Sequence, residues 1–251
     1  MIKDIRKLGG MGASNIGSLF MSQGLKAKTA HTLAYTKAKE IITGRFESIT
    51  TVAMQHGVFN EEEAFNTVIK PFFPKAVYQS SDSIYIKNGV WVTPDVIDNS
   101  EEITFDIKCP YSPYTFHQNI KKPKDGYISQ VQMQMIGTKH DKGFLVYYLT
   151  SNKTDEWGNK IEYDIPVEQR HKYIPVPSDE TFQKEILKRI DDFFVIRDSI
   201  VIDLKNAVAI SDQELFDYCD SNKVTRFKDK SNLTTWGGRI YLCSGEYYTI
   251  E

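Results

Sequence analysis

Cysteine is scarce in this sequence. The chain of 251 residues contains three, Cys109, Cys219 and Cys243, and they are far apart. Because no two of them form a Cys-x-x-Cys pair, the sequence gives no indication of a zinc ribbon or an iron–sulfur cluster. Scattered cysteines in odd number are typical of reduced thiols, so we expect a cytosolic protein rather than a disulfide-bonded secreted one.

Two further absences narrow the class of protein. No apolar run is long enough to cross a bilayer, and the polar segment 1–10 lacks the apolar stretch of a signal peptide. We therefore expect no membrane partner. The formal net charge is −2, so the chain is not a generic polycation. Nucleic-acid binding is compatible with that value, since acidic residues at a metal site offset a basic surface in the total.

The order of predicted elements favours an α/β fold, with a central mixed β-sheet flanked by helices. Hydrophobic periodicity predicts helices over 27–43, 51–69, 127–138 and 179–198, and strands over 76–79, 83–87, 89–97, 102–109, 143–149 and 160–166. Ser14 is predicted to cap a short helix before these. We divide the chain into a main domain, residues 1–203, and a C-terminal extension, residues 204–251, of unknown role.

Acidic and basic side chains cluster in the segment from Val92 to Pro110. Side chains alternate across a strand, so Asp106 and Lys108 share one face, while the apolar residues between them share the other. Asp95 lies near the end of the preceding strand, and a hairpin brings it close to Asp106. The sequence therefore predicts two carboxylates and one amine at a strand end.

This group fits a magnesium site. Two facing carboxylates repel unless a cation lies between them, and Mg²⁺ takes one or two carboxylates together with water and phosphate oxygens. The metal polarises a phosphodiester, and Lys108 beside it orients or deprotonates the attacking water. In the alternative interpretation, Asp106 and Lys108 are merely solvated on a surface hairpin. The Pro94-Asp95 pair at a matching separation favours the metal site.

Several segments together resemble the lambda-type phage exonucleases, also called YqaJ-like viral recombinases, of the PD-(D/E)xK nuclease superfamily. Pro94-Asp95 followed by Asp106-x-Lys108 is similar to the superfamily signature. The segment from Asp106 to Tyr111 resembles the family's Glu-Leu-Lys-Cys-Pro-Phe, with Asp in place of the family Glu. Further similar segments, over about residues 5–200 in all, are Gly12-Ala13-Ser14, Gly57 to Glu61 to Ala64, and Tyr127 to Gln132.

The resemblance implies roles for residues outside the predicted hairpin. Glu61 is the helix carboxylate that points at the metal, directly or through water, and Gln130 hydrogen-bonds near the scissile phosphate. Lys7, in place of a family arginine, and Ser14 form a pocket for a 5′-phosphate, which a helix N-terminus also favours. We also expect the backbone carbonyl of Ile107 among the metal ligands.

Two other groups of polar residues have less specific interpretations. Lys121, Lys122 and Lys124 form either a patch that contacts the DNA backbone or a solvated loop. His56 precedes Glu61 by five residues, which is not the spacing of one helical face, so we expect it to pack or lie at the surface rather than bind metal.

The function implied by the resemblance is that of a Mg²⁺-dependent 5′→3′ exonuclease acting on ends of linear double-stranded DNA. It implies two Mg²⁺ ions, replaceable by Mn²⁺, and a 3′ single strand left for recombination. It further implies a homotrimeric ring, a single-strand annealing protein as partner, and a phage or prophage origin in the bacterial cytoplasm. Two alternatives stay open: another PD-(D/E)xK nuclease, such as a restriction-type endonuclease, and a non-catalytic DNA-binding module.

Overall fold

The computed structural model describes residues 4–46, 51–79, 82–151, 161 and 163–206, together with three short strands between 233 and 249. The chain divides into two compact units, Met1–Arg197 and Asp198–Glu251. Cys219 and Cys243 lie outside the described residues.

The first unit contains most of the regular structure. Its helices, in chain order, are α1 (Lys28–Thr43), α2 (Val52–Ala64), α3 (Pro113–Lys121), α4 (Asp125–Thr138) and α5 (Glu180–Asn206), the last of which extends past its boundary. Its strands are β1 (Met11–Gly12), β2 (Val77–Tyr78), β3 (Ile84–Lys87), β4 (Val90–Val92), β5 (Val96–Asp98), β6 (Ile103–Lys108), β7 (Lys142–Tyr148) and β8 (His171–Pro177). The second unit contains an antiparallel sheet of β9 (Leu233–Trp236), β10 (Arg239–Leu242) and β11 (Tyr247–Thr249).

A five-stranded mixed sheet, in the order β2-β5-β6-β7-β8, forms the centre of the first unit. β6 and β7 are parallel, and the other neighbouring pairs are antiparallel. A small sheet, β1-β4-β3, contains a hairpin at Asn88-Gly89, with Gly89 at a φ of 71° that favours glycine. The predicted α/β fold class, with a central mixed sheet flanked by helices, is confirmed.

The two faces of β6 are buried against different partners. Ile103, Phe105 and Ile107 pack into an apolar cluster with the end of α2 and the π-helical turn Phe65–Ile69. On the opposite face, Thr104 and Asp106 are fully buried beneath α4. A strand covered on both faces normally carries apolar residues throughout, so a buried polar face here needs partners from the covering helix.

The sequence-based prediction of the strands contains two errors. Residues 89–97 do not form one strand: β4 ends at Val92 and β5 begins at Val96, in a different sheet. The prediction of a strand over 160–166 is also wrong, since its described residues lie outside any strand and the strand is β8, which starts at His171. The prolines of β8 concealed it, but an edge strand tolerates proline because one side of its backbone has no ladder to complete.

The start of α4 approaches the 3₁₀-helix Ala13–Leu19 through two glycines. An added Cβ on Gly17 would lie 2.8 Å from the Cα of Gly126, a backbone atom that cannot rotate away. The prediction that Ser14 caps this helix is wrong. The helix begins at Ala13 without a side-chain cap, and Ser14 lies exposed within its first turn. In the described parts of the chain, no helix combines the length and apolarity needed to cross a membrane.

We predict that Gly17→Ala destabilises the protein by about 1–3 kcal/mol, because the new methyl group must separate two backbones. Gly57→Ala is the matched control: it lies inside α2 with no atom within 4 Å of an added Cβ. That change should stabilise by about 0.5–1 kcal/mol through helix propensity. Urea unfolding of both variants measures the difference, and equal stability of Gly17→Ala and the parent would contradict the close approach.

Candidate active site

Asp95, Asp106 and Lys108 come together where β5 and β6 meet. The antiparallel register pairs Val96 with Phe105, which places Asp95 beside Asp106. The Oδ2 of Asp95 accepts a hydrogen bond of 2.6 Å from the backbone N–H of Ile107. A residue's N–H and C=O point to the same side within a sheet, so the Ile107 carbonyl is also directed to the side of Asp95.

Lys108 is the counter-ion of Asp106. Its Nζ lies 2.6 Å from Asp106 Oδ2, an ionic contact that leaves Oδ2 without a well-aligned hydrogen bond among the described residues. The same Nζ lies 5.1 Å from the centre of the Tyr127 ring on α4. Burial acts to lower the pKa of Lys108, but the carboxylates of Asp106 and Asp95 outweigh it and raise that pKa. The side chain is therefore an ammonium at neutral pH.

The end of β6 has more acidic than basic side chains around it. Burial is the first cause of the raised pKa of Asp95, and the charges of Asp106 and Glu61 add to it while Lys108 opposes them. The pKa of Glu61 is raised as well, by burial and by Asp106, again against Lys108. Both shifts have the same origin: three carboxylates share a poorly hydrated space with the Lys108 ammonium.

A divalent cation suits this charge distribution. Within the described residues, no three His, Cys, Asp or Glu side chains converge closely enough to form a complete cage. Mg²⁺ does not require one, because it keeps water and phosphate oxygens as ligands beside one or two carboxylates. The residues that fit it are Asp95 and Asp106, with the Ile107 carbonyl beside them, and Glu61 lies close enough to feel the charges of Asp106 and Lys108.

The α4 helix presents three glutamines, and they differ in their contacts. Gln134 donates from Nε2 to Asp106 Oδ1 over 3.0 Å. Gln132 bonds to Pro177, Asp179 and Gln183 instead, so it ties α4 to the start of α5. Gln130 is half-buried one turn before Gln134, and its expected contact with a phosphate stays a prediction.

The acidic run of α2 divides between solvent and structure. Glu61 lies near Asp106 and Lys108, and Glu62 is exposed. Glu63 accepts hydrogen bonds from the hydroxyls of Tyr148 and Thr150, which anchors α2 to the end of β7. The residues that Glu63 contacts lie 85 or more positions away in the sequence, so the local sequence does not indicate this contact.

His56 packs within the protein, in agreement with the role expected for it. Its ring meets that of Tyr111 edge-on at 5.2 Å, and its Nδ1 lies 3.3 Å from the side-chain amide of Asn60. Neither of these contacts involves Asp95, Asp106 or Glu61.

The residues expected to hold a 5′-phosphate have different surroundings. Lys7 donates to Ser83, whose hydroxyl lies 3.0 Å from that of Thr93, two residues before Asp95. Ser14 lines a cavity of about 670 Å³ together with Lys122, Lys124 and Tyr127. Lys7 is not part of that lining, and Lys121 is exposed outside it.

Comparison with known proteins gives matches to solved structures alone. No family model and no curated protein matches the chain. The structure of an alkaline exonuclease, LHK-Exo, from Laribacter hongkongensis is 24% identical, with a TM-score of 0.63 over 79% of this chain and 93% of that one. LHK-Exo in complex with dAMP is 23% identical, with a TM-score of 0.64 over 80% and 94%.

A phage-related exonuclease from Haemophilus somnus 129PT is 16% identical, with a TM-score of 0.67 over 80% of this chain and 100% of that one. The chain has the fold of these exonucleases. This exonuclease fold agrees with the resemblance drawn from the segments around Asp95, Asp106 and Gln130, which were identified without any structure.

We predict that Asp95→Asn stabilises the metal-free protein at neutral pH. The folded-state pKa of Asp95 is raised, so ionisation of this group opposes folding above that pKa, and the penalty disappears as the pH falls to the ordinary value of 3.8. Asn removes the charge and can still accept from Ile107. Urea unfolding in EDTA across pH measures the difference between variant and parent; a difference that grows toward acid pH would refute the assignment.

Proposed function

We propose that this protein is a Mg²⁺-dependent exonuclease that degrades linear double-stranded DNA in the 5′→3′ direction. The products are mononucleotides and a 3′ single strand that serves phage-type recombination. The observation that carries the proposal is the convergence of Asp95, Asp106 and Lys108 at the end of β6. The exonuclease fold supports it, as does dAMP, a nucleoside monophosphate, in complex with LHK-Exo.

Lys108 acts as a fixed positive charge in this proposal. Asp106 and Asp95 raise the pKa of Lys108, so in the metal-free site the side chain is an ammonium that donates hydrogen bonds. It can hold the attacking water or a phosphate oxygen and stabilise negative charge that develops on the phosphate. The contact with Tyr127 restricts the direction in which the ammonium points.

Asp95, Asp106 and the Ile107 carbonyl would hold the metal, with Glu61 contributing directly or through water. When bound, Mg²⁺ polarises the phosphodiester and lowers the pKa of water. We expect two ions at a working site, and Mn²⁺ in their place when supplied. Gln130 donates to a phosphate oxygen without adding charge.

Assembly and context belong to the same proposal. We expect a homotrimeric ring around DNA, a single-strand annealing protein as partner, and a phage or prophage protein that works in the bacterial cytoplasm. Light scattering of the purified chain measures the assembly, and a monomer at working concentration would refute the ring.

We predict that Lys108→Met lowers the rate of DNA hydrolysis by about 100- to 1,000-fold, because the charge that stabilises the phosphate is lost. Lys172→Met is the control, an exposed lysine on β8 whose removal should leave the rate unchanged. The assay follows release of labelled mononucleotide from linear duplex, with Mg²⁺ and with EDTA.

The same assay separates the alternative functions. Release of the 5′ label first supports the proposed polarity, and cleavage of closed circular plasmid would indicate an endonuclease. Binding of duplex without any hydrolysis by the parent would indicate a non-catalytic module.

We predict that Lys7→Ala, and to a lesser degree Ser14→Ala, reduces the preference for 5′-phosphorylated over 5′-hydroxyl ends. Lys7 contributes a positive charge and contacts Ser83, whose hydroxyl lies beside that of Thr93, whereas Ser14 contributes a neutral hydroxyl. The ratio of initial rates on the two ends is the measurement. Lys172→Ala should keep the ratio of the parent, and equal rates on both ends for the parent would contradict the pocket.

A further inference from the structure

Gln134 is a polar side chain buried against the candidate metal site, and the proposed chemistry gives it no task. We propose that Gln134 is the positioning residue of Asp106: its amide holds Oδ1 and leaves Oδ2 directed to the divalent ion and Lys108. The inference rests on the proposed function, because it concerns the affinity of the same site for its metal.

The geometry is that of a dedicated contact. Gln134 and Asp106 both have 0% of their surface exposed, so water cannot substitute for either partner. Nε2 of Gln134 lies 3.0 Å from Oδ1, and Nζ of Lys108 lies 2.6 Å from Oδ2. The two oxygens of Asp106 thus have different partners, and the amide fixes the rotation of the carboxylate group.

The hydrogen bond to Asp106 is the contact that explains a glutamine at this position. Its Oε1 is buried with no hydrogen-bond partner among the described residues. A buried acceptor without a partner is unfavourable, and the contact of Nε2 with the buried carboxylate of Asp106 offsets that cost. An ionised carboxylate only accepts hydrogen bonds, so the amide must present Nε2 to Asp106 and leave Oε1 unsatisfied.

The contact depends on the length of the acidic side chain. Asp106 occupies the position where the resembling family has Glu, so its carboxylate lies one methylene closer to β6. Gln134 reaches that carboxylate from α4. A glutamate at position 106 would extend its carboxylate toward the space that the Gln134 amide fills, because the present contact is already at hydrogen-bond distance.

Gln132 provides an internal control. It belongs to the same helix, has 3% of its surface exposed, and differs in that its bonds go to Pro177, Asp179 and Gln183. Loss of its amide removes structural hydrogen bonds without touching Asp106. Any effect seen on Gln134 replacement but absent on Gln132 replacement therefore concerns the site rather than glutamine burial in α4.

The experiment measures Mg²⁺ binding without DNA, from the rise in unfolding temperature with Mg²⁺ concentration. Gln134→Met, which keeps the length and removes the donor, should weaken Mg²⁺ binding by about 10- to 100-fold, as removal of a group that orients a metal ligand does. Gln132→Met should lower the unfolding temperature in EDTA and keep the Mg²⁺ affinity of the parent. Equal Mg²⁺ affinity of Gln134→Met and the parent would overturn the inference.

A second set of variants tests the contact through side-chain length. Asp106→Glu alone should bind Mg²⁺ more weakly than the parent, because the longer acid meets Gln134. Asp106→Glu combined with Gln134→Ala should bind more tightly than Asp106→Glu alone, so that removing Gln134 changes sign with the residue at 106. If Gln134→Met does not fold, this pair decides, and a further loss of affinity in the double variant would count against the inference.

The result for the parent separates this inference from the proposed function. A parent that binds no Mg²⁺ overturns the metal-dependent function, and the positioning role with it. A parent that binds Mg²⁺ and cleaves DNA, with unchanged affinity in Gln134→Met, overturns the positioning role alone.

Discussion

Repulsion among the carboxylates at the end of β6 is the constraint to which the surrounding structure responds. Asp95, Asp106 and Glu61 lie in a space with little water, and the Lys108 ammonium compensates only part of their charge. Burial and the neighbouring carboxylates raise the pKa values of Asp95 and Glu61, so ionisation of these groups is unfavourable in the folded protein. Such a group of carboxylates lowers the stability of the fold, but it suits the divalent cation proposed for this site.

The covering helix supplies what the buried polar face of β6 needs. From one end of β6 to the other, Thr104 contacts Thr138, Asp106 contacts Gln134, and Lys108 contacts Tyr127. These partners recur along one side of α4, and Thr104 also contacts His140 just after the helix ends. The close packing of Gly17 on Gly126 sets the start of this helix against the N-terminal 3₁₀-helix. The geometry of the candidate site therefore depends on how α4 packs against the rest of the unit.

The errors of sequence-based prediction have physical causes. Proline hid β8, because the breaker rule holds for central strands and β8 is an edge. The same rule hid α3, in which Pro113 occupies the first turn and Ser112 caps it by accepting from Thr115. Ser14 looked like such a cap but lies inside a 3₁₀-helix that begins one residue earlier.

Alternation along 102–109 and the spacing of Asp95 were enough to predict that two acids and an amine share one strand end. That prediction needed only the two-residue period of a strand and one antiparallel turn, both of which are local. The contacts of Gln134 with Asp106 and of Glu63 with Tyr148 were decided by tertiary structure alone. They join residues 28 and 85 positions apart, and only the packing of α4 and α2 on the sheet determines which polar side chains meet.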